Sequence, residues 1–236
     1  MKALIFAAGK GERMQPLTAN TPKPLLRAGD RRLIDRHLER LAAFGVRDVV
    51  INTSWLAEAF PAALGDGAHW GLRIHYSEEG AEPLETGGGM RLALPLLGDG
   101  PFLALNGDIH CDVDLAQLVL RDDDLACLVL VDNPPHHPRG DFVLAGDRLV
   151  PDTTATARLT FAGVGLYRPA LLDDWRACIG DAAGADETPP RFKLAPLLYA
   201  AIARGRVAGL HHRGEWTDVG TPQRLAELAV QLDGGA

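Results

Sequence analysis

The amino-acid sequence predicts an α/β fold, and three observations carry the prediction. Short apolar runs alternate with amphipathic stretches over nearly the whole chain, the pattern of a sheet whose strands are joined by crossover helices. Gly45, Gly71, Gly98 and Gly205 each fall where a helix should stop before the next strand. With 236 residues and 47% hydrophobic content, the chain can bury one substantial core but is short for two independent ones. Residues 1–236 are therefore expected to form one domain.

The elements follow in order. Strands are predicted at Ala3 to Ala7, Asp48 to Asn52, Leu72 to Tyr76, Phe102 to Asn106, Leu125 to Val131, Leu159 to Tyr167 and Val207 to Leu210. Leu33 to Phe44 is a crossover helix, because Leu33, Ile34, His37, Leu38 and Leu41 share one face at helical spacing. Trp55 to Leu64, Gly89 to Leu97, Leu194 to Ala203 and Pro222 to Leu232 read in the same way. The last has Thr221 placed as N-cap and Pro222 at the first helical position. Two polar, turn-rich stretches, Asp132 to Asp141 and Gly180 to Pro190, interrupt this order.

Composition excludes several functions. No apolar stretch approaches the roughly 18 to 20 residues that span a membrane, and the N-terminal run lacks a signal-peptide layout, so a cytoplasmic location is expected. Cys111, Cys127 and Cys178 are widely separated and form no C-x-x-C pair, which argues against a disulfide framework or a structural zinc site. The net charge is −7, yet Met1 to Arg27 holds Lys2, Lys10, Arg13, Lys23 and Arg27 against the single acid Glu12. A local positive site on an acidic chain suits a small polyanion rather than a nucleic-acid surface or a membrane.

That positive segment is a phosphate-handling loop. The apolar run Ala3 to Ala7 ends in Ala8-Gly9-Lys10-Gly11-Glu12-Arg13-Met14, followed by Thr21-Pro22-Lys23-Pro24-Leu25. Glycines let the backbone turn sharply and present N–H groups to an anion with no Cβ in the way. A dinucleotide fingerprint needs a third glycine where Met14 stands, and a P-loop needs Gly-Lys-Ser/Thr where the chain has Gly9-Lys10-Gly11. What remains is G-x-G-x-R with P-K-P ten residues on. On these residues the chain resembles the sugar-1-phosphate nucleotidyltransferases, the pyrophosphorylases that make nucleotide sugars.

Further stretches extend the resemblance along most of the chain: Glu85-Thr86-Gly87-Gly88-Gly89, Asn106-Gly107-Asp108, Arg139-Gly140-Asp141-Phe142, Phe192-Lys193-Leu194 and Trp216-Thr217-Asp218-Val219-Gly220-Thr221-Pro222. The resemblance implies a Rossmann-like three-layer α/β/α sandwich with a mixed, mostly parallel central sheet. In it, residues 1–110 mainly bind nucleotide and residues 111–236 mainly bind the sugar phosphate. It further implies Arg13 and Lys23 as catalytic cations, and Ala8, Gly9, Gly11, Glu79, Thr86 and Gly87 as nucleotide contacts. Glu85, Asn106, Gly140, Asp141 and Lys193 would contact the sugar phosphate, and Asp108 with Asp218 would hold Mg²⁺. Two carboxylates suit a hard cation that takes its remaining ligands from phosphate and water.

The reaction so implied is attack of a sugar 1-phosphate oxygen on the α-phosphorus of a nucleoside triphosphate, which needs no general base. The adjacent pairs His136-His137 and His211-His212 are accordingly read as loop or edge histidines. Among family members, Tyr76 to Gly80, Leu84 to Gly89, Leu130 to Pro134 and Arg139 to Phe142 most resemble those joining UTP to N-acetylmuramic acid α-1-phosphate in cell-wall recycling. Mannose- or heptose-1-phosphate with GTP is the nearest alternative. Because so little chain follows the W-x-D motif, a compact catalytic core acting as a monomer is expected. A metal-dependent glycosyltransferase is the alternative from another class, since Asp112-Val113-Asp114 supplies a D-x-D.

Overall fold

The computed structural model describes residues 1–152 and 157–234. In chain order the elements are β1 (Lys2–Phe6), a small hairpin β2 (Arg27–Ala28) and β3 (Arg31–Arg32), α1 (Leu33–Phe44), β4 (Asp48–Thr53), α2 (Ala59–Leu64), β5 (Arg73–Glu78), α3 (Glu85–Leu97), β6 (Phe102–Asn106) and β7 (Ile109–Cys111). There follow β8 (Ala126–Val131), β9 (Val143–Ala145), β10 (Arg148–Val150), β11 (Thr160–Tyr167), α4 (Trp175–Ile179), α5 (Ala195–Ala203), β12 (Val207–His211), β13 (Trp216–Asp218) and α6 (Pro222–Gly234). No helix among the described residues is long and apolar enough to cross a membrane.

Nine strands form the central sheet in the order β5-β4-β1-β6-β11-β8-β12-β10-β9. β5, β4, β1 and β6 are parallel, β11 runs against both β6 and β8, and β12 again runs parallel to β8. The sheet is thus mixed, with most strands pointing one way. Alternation along each strand sorts side chains between two layers. Ala3, Ile5, Val49 and Ile51 pack on Ile34, Leu38 and Leu41 of α1, whereas Leu4, Val50, Phe102 and Ala104 pack against α3 and α5. A third small core joins Leu225 and Leu228 of α6 to Met14, Leu26 and Val219.

All seven predicted strands are present. Two helices depart from expectation. α2 begins at Ala59 rather than Trp55, because Leu56 adopts a positive φ of 52°. α3 begins four residues early, at Glu85, because Gly87 and Gly88 form its first turn against residues 190–192. The ribbon of β7 with β13 and the β9–β10 hairpin are additions, made of strands only three residues long that leave no periodic signal.

The topology fixes where a ligand can bind. From β1 the chain crosses to β4 on one side and later returns to β6 on the other, so β1 and β6 flank a topological switch point. In such sheets ligands bind beyond the carboxyl ends of the strands at that crevice. The loops after β1 and β6 are Ala7 to Gly11 and Gly107-Asp108.

Candidate active site

The crevice at the switch point holds a cleft of about 720 Å³, lined by Ala8, Gly9, Gly11, Arg13, Lys23 and Asp108 among others. Its floor is set by two asparagines flanking Phe6 in register, Asn52 at the end of β4 and Asn106 at the end of β6. Asn52 is 2% exposed and accepts the Ala7 N–H at 2.6 Å, which pins the start of the phosphate loop. Gly11 has φ 64°, and a Cβ there would lie 2.9 Å from Thr18 Cγ2, while Thr18 Oγ1 donates to Gly11 O at 2.8 Å. The turn is therefore closed by its own neighbours. The N–H groups of Gly9 and Gly11 donate to no protein acceptor among the described residues, which leaves them for an anion.

Charge is arranged around this turn. Lys23 is buried and forms an ion pair with Asp108. Lys10 pairs with Glu82 at 2.8 Å. Arg13 is exposed on the cleft and makes no ion pair among the described residues, so its guanidinium is available to a phosphate. Gly107 makes the β6 turn possible: its N–H donates to Phe6 O at 2.9 Å, and a Cβ would sit 2.8 Å from that same oxygen.

The two aspartates singled out in the sequence come together although 110 positions separate them. β13 pairs antiparallel with β7, placing Asp218 opposite Ile109, and Val219 N–H donates to Asp108 O at 2.8 Å. The Asp108 and Asp218 side chains are 35% and 27% exposed, and each faces a cation. Lys23 serves Asp108, while Arg224 and His136 (Nε2 at 2.9 Å) share one oxygen of Asp218. Two carboxylates on adjoining turns, each drawing positive charge, are the hard-oxygen donors that a divalent cation takes. No cluster of three or more His, Cys, Asp or Glu side chains able to hold a metal occurs among the described residues. The donor set thus suits an ion that keeps water and substrate phosphate as ligands rather than a closed protein cage.

Beside the phosphate loop, Glu85 and Thr86 reach the cleft from the start of α3. Glu79 lines it as well, with both oxygens engaged: Asn52 Nδ2 donates at 2.5 Å and Leu84 N–H at 2.7 Å. Burial pushes the Glu79 carboxyl above its ordinary range. Glu79 is therefore a tie between β4, the end of β5 and the start of α3. Gly87, expected as a nucleotide contact, is packed beneath this wall. Its N–H is taken by Phe192 O at 2.9 Å, and a Cβ would lie 2.5 Å from the Phe192 ring, so glycine is there for packing.

The sugar-side residues divide. Asn106 lines the cleft, and a bulge in β11 brings Gly163 (φ 78°) onto it, where a Cβ would meet Asn106 Nδ2 at 2.7 Å. Gly140, Asp141 and Lys193 line neither this cleft nor the next. Asp141 instead ties its own loop, accepting the Phe161 N–H at 2.8 Å and meeting His137 at 3.0 Å. Gly140 is buried against Asn133, and Lys193 stands exposed. A second cleft, of about 730 Å³, opens on the far side of Asp218 between His136, Trp216 and Arg224.

Sequence reasoning missed Asn52, His136 and Arg224. Asn52 carried a signal, since it ends an apolar run just as Asn106 does. The histidines read as idle loop residues each face an aspartate: His136 with Asp218, His137 with Asp141, His211 with Asp132 at 2.9 Å and His212 with Asp112 at 2.6 Å. In the D-x-D, Asp112 meets His212 at 2.6 Å while Asp114 accepts the Ala116 N–H at 3.0 Å, and neither lines either cleft.

Comparison with known proteins agrees with this geometry. The nucleotidyl transferase family profile matches residues 2–143. The N-acetylmuramate alpha-1-phosphate uridylyltransferase of Neisseria meningitidis is 47% identical over 96% of this chain and 96% of its own length, and that of Caulobacter vibrioides is 35% identical over 97% and 95%. The mannose-1-phosphate guanyltransferase of Aspergillus fumigatus is 34% identical over 94% of this chain and 62% of its own. A Bacillus anthracis protein assigned as a glucose-1-phosphate thymidylyltransferase superposes with TM-score 0.74 at 20% identity, covering 97% of this chain and 95% of that one, and so shares the fold. With a family match over more than half the chain and near-complete alignment to two relatives, this chain belongs to the nucleotidyl transferase family.

Proposed function

We propose that this protein transfers the uridylyl group of UTP to N-acetylmuramic acid α-1-phosphate in the cytoplasm, releasing pyrophosphate and forming UDP-N-acetylmuramate. The observation that carries the reading is the 47% identity, over 96% of both chains, to a relative named for that reaction. The phosphate loop at the switch point supports it.

The sugar phosphate oxygen is already an anion near neutral pH, so the chain's task is to neutralise and align two repelling phosphates. The Gly9 and Gly11 N–H groups and Arg13 hold the triphosphate tail, and Arg13 stabilises the departing pyrophosphate. Lys23, drawn from Asp108 toward the α-phosphate, offsets charge that accumulates there. Asp108 and Asp218 would hold Mg²⁺, which supplies charge neutralisation between the two substrates. Thr86 would contact the nucleotide and Glu85 the sugar phosphate from the start of α3, with Glu79 and Asn52 fixing the wall beside them.

A pyrophosphate-release assay tests the reading by crossing UTP, dTTP, GTP and CTP with N-acetylmuramate, N-acetylglucosamine, glucose and mannose 1-phosphates. UTP with N-acetylmuramate 1-phosphate is expected to give the highest kcat/KM. Turnover confined to another pair would overturn the substrate assignment and leave the family intact.

A further inference from the structure

The second cleft has no place in the mechanism above, yet its volume of about 730 Å³ matches that of the nucleotide cleft. Its walls come from the chain leaving β8 (Asp132 to His136), the chain leaving β12 (His212 to Gly214), β13 and the first turns of α6. These lie beyond carboxyl ends of β8 and β12, where open α/β sheets place ligands. Asp218 lines this cleft, while Gly220, two residues on, lines the nucleotide cleft. The two cavities therefore meet at the β13–α6 turn, beside the paired aspartates.

We infer that the second cleft receives the carboxylate-bearing substituent of the sugar 1-phosphate, and that Arg213 is the residue that selects for it. The inference rests on the substrate pair proposed above. The two clefts meet beside Asp218, so a sugar 1-phosphate held by the aspartates has the second cleft next to it. N-acetylmuramate differs from N-acetylglucosamine by a lactyl ether, which adds one carboxylate. Selecting for that group takes a cation that the protein does not consume itself.

The ionic bookkeeping of the cleft singles out Arg213. Asp132 is matched by His211 at 2.9 Å, and Glu227 accepts from Gln223 at 2.8 Å. Arg224 and His136 converge on one oxygen of Asp218, with Arg224 Nη1 and His136 Nε2 only 2.6 Å apart. Arg224 is thus committed to the aspartate. Arg213 is exposed at the rim and has no hydrogen bond or ion pair among the described residues. Its planar fork matches a carboxylate in two-point fashion. Trp216 lines the same cleft, and its indole N–H donates to Ala162 O at 2.8 Å, so the ring is fixed as an apolar flank for the substituent's methyl.

The test is steady-state kinetics on the full chain with UTP, comparing wild type, Arg213→Gln and Arg213→Lys. Arg213→Gln is expected to raise KM for N-acetylmuramate 1-phosphate about tenfold, the scale of one charge-assisted hydrogen bond. The kcat, the KM for UTP and the competitive inhibition constant of N-acetylglucosamine 1-phosphate should each stay within about twofold. Arg213→Lys should recover part of the loss. An unchanged KM for the acidic sugar, or an equal loss for both sugars, overturns the inference while the substrate assignment stands. A wild-type enzyme inert toward N-acetylmuramate 1-phosphate overturns the assignment itself.

Discussion

The two clefts are built on different principles. The first cleft comes from the carboxyl ends of neighbouring parallel strands, so each of its parts is a short local motif: Gly9 to Arg13 after β1, Asn52 near the end of β4, and Asn106 to Asp108 at the end of β6. The second cleft is made by pairing distant segments, with His136 and Arg224 meeting at Asp218 and His212 reaching back to Asp112. The first arrangement presents backbone N–H groups and Arg13, without an ion pair among the described residues, to a ligand. The second surrounds its acids with partners before any ligand arrives, which leaves it fewer groups with which to recognise one.

The largest expected effect tests whether the chemistry belongs to the first region. Arg13→Ala and Asp108→Ala should each lower turnover by on the order of a hundredfold or more, because the first removes a cation aimed at phosphates in the transition state and the second a carboxylate proposed to hold the divalent cation. Pyrophosphate release measures the loss, and an unchanged circular dichroism spectrum shows that the fold is intact. Near-wild-type turnover in either variant would remove that residue from the mechanism.

Histidines sharpen the contrast. The four around the second region are partly exposed and sit beside aspartates, whereas His37, behind the Asp108 turn on α1, is 3% exposed and leaves Nε2 without a partner among the described residues. Burial, reinforced by the nearby Arg40 charge, pushes its pKa down to about 4 from 6.5. Between those values the unfolded chain binds a proton that the folded one refuses, so stability rises with pH across that window and is fully present above it. The magnitude is roughly 3 kcal/mol at most. Urea unfolding from pH 7 to pH 4 should show the decline. His37→Gln, whose amide can still bond the Ile109 backbone but cannot titrate, should flatten it.

The same contrast explains what the sequence made legible. Strands β1 and β6 and helix α1 announce themselves because an apolar pattern and a terminating glycine both act locally, and β4 does so by its apolar run alone. So do Arg13, Lys23 and Asp108, which stand in or just after short glycine-bearing runs. The Gly87 N–H is spent on Phe192, 105 positions away, and no local pattern encodes a contact of that span. His136 was dismissed on the sound rule that adjacent side chains diverge. That divergence is what sends His136 to Asp218 and His137 to Asp141. Strands as short as β7 and β13 exist only because they pair with each other, so neither shows in isolation.

The smallest expected effect concerns Asp114, which by sequence alone competes for a catalytic part. The structure gives it a local one: its carboxylate accepts the Ala116 N–H at 3.0 Å at the start of a single turn, Leu115–Gln117, away from both clefts. Asp114→Ala should therefore cost about 1 kcal/mol of stability, the usual loss for removing an N-cap, read as a small fall in Tm. Turnover and the dependence of rate on metal concentration should match wild type. A variant that kept its Tm but needed more metal would return the D-x-D to the reaction and count against Asp108 and Asp218 as the proposed metal ligands.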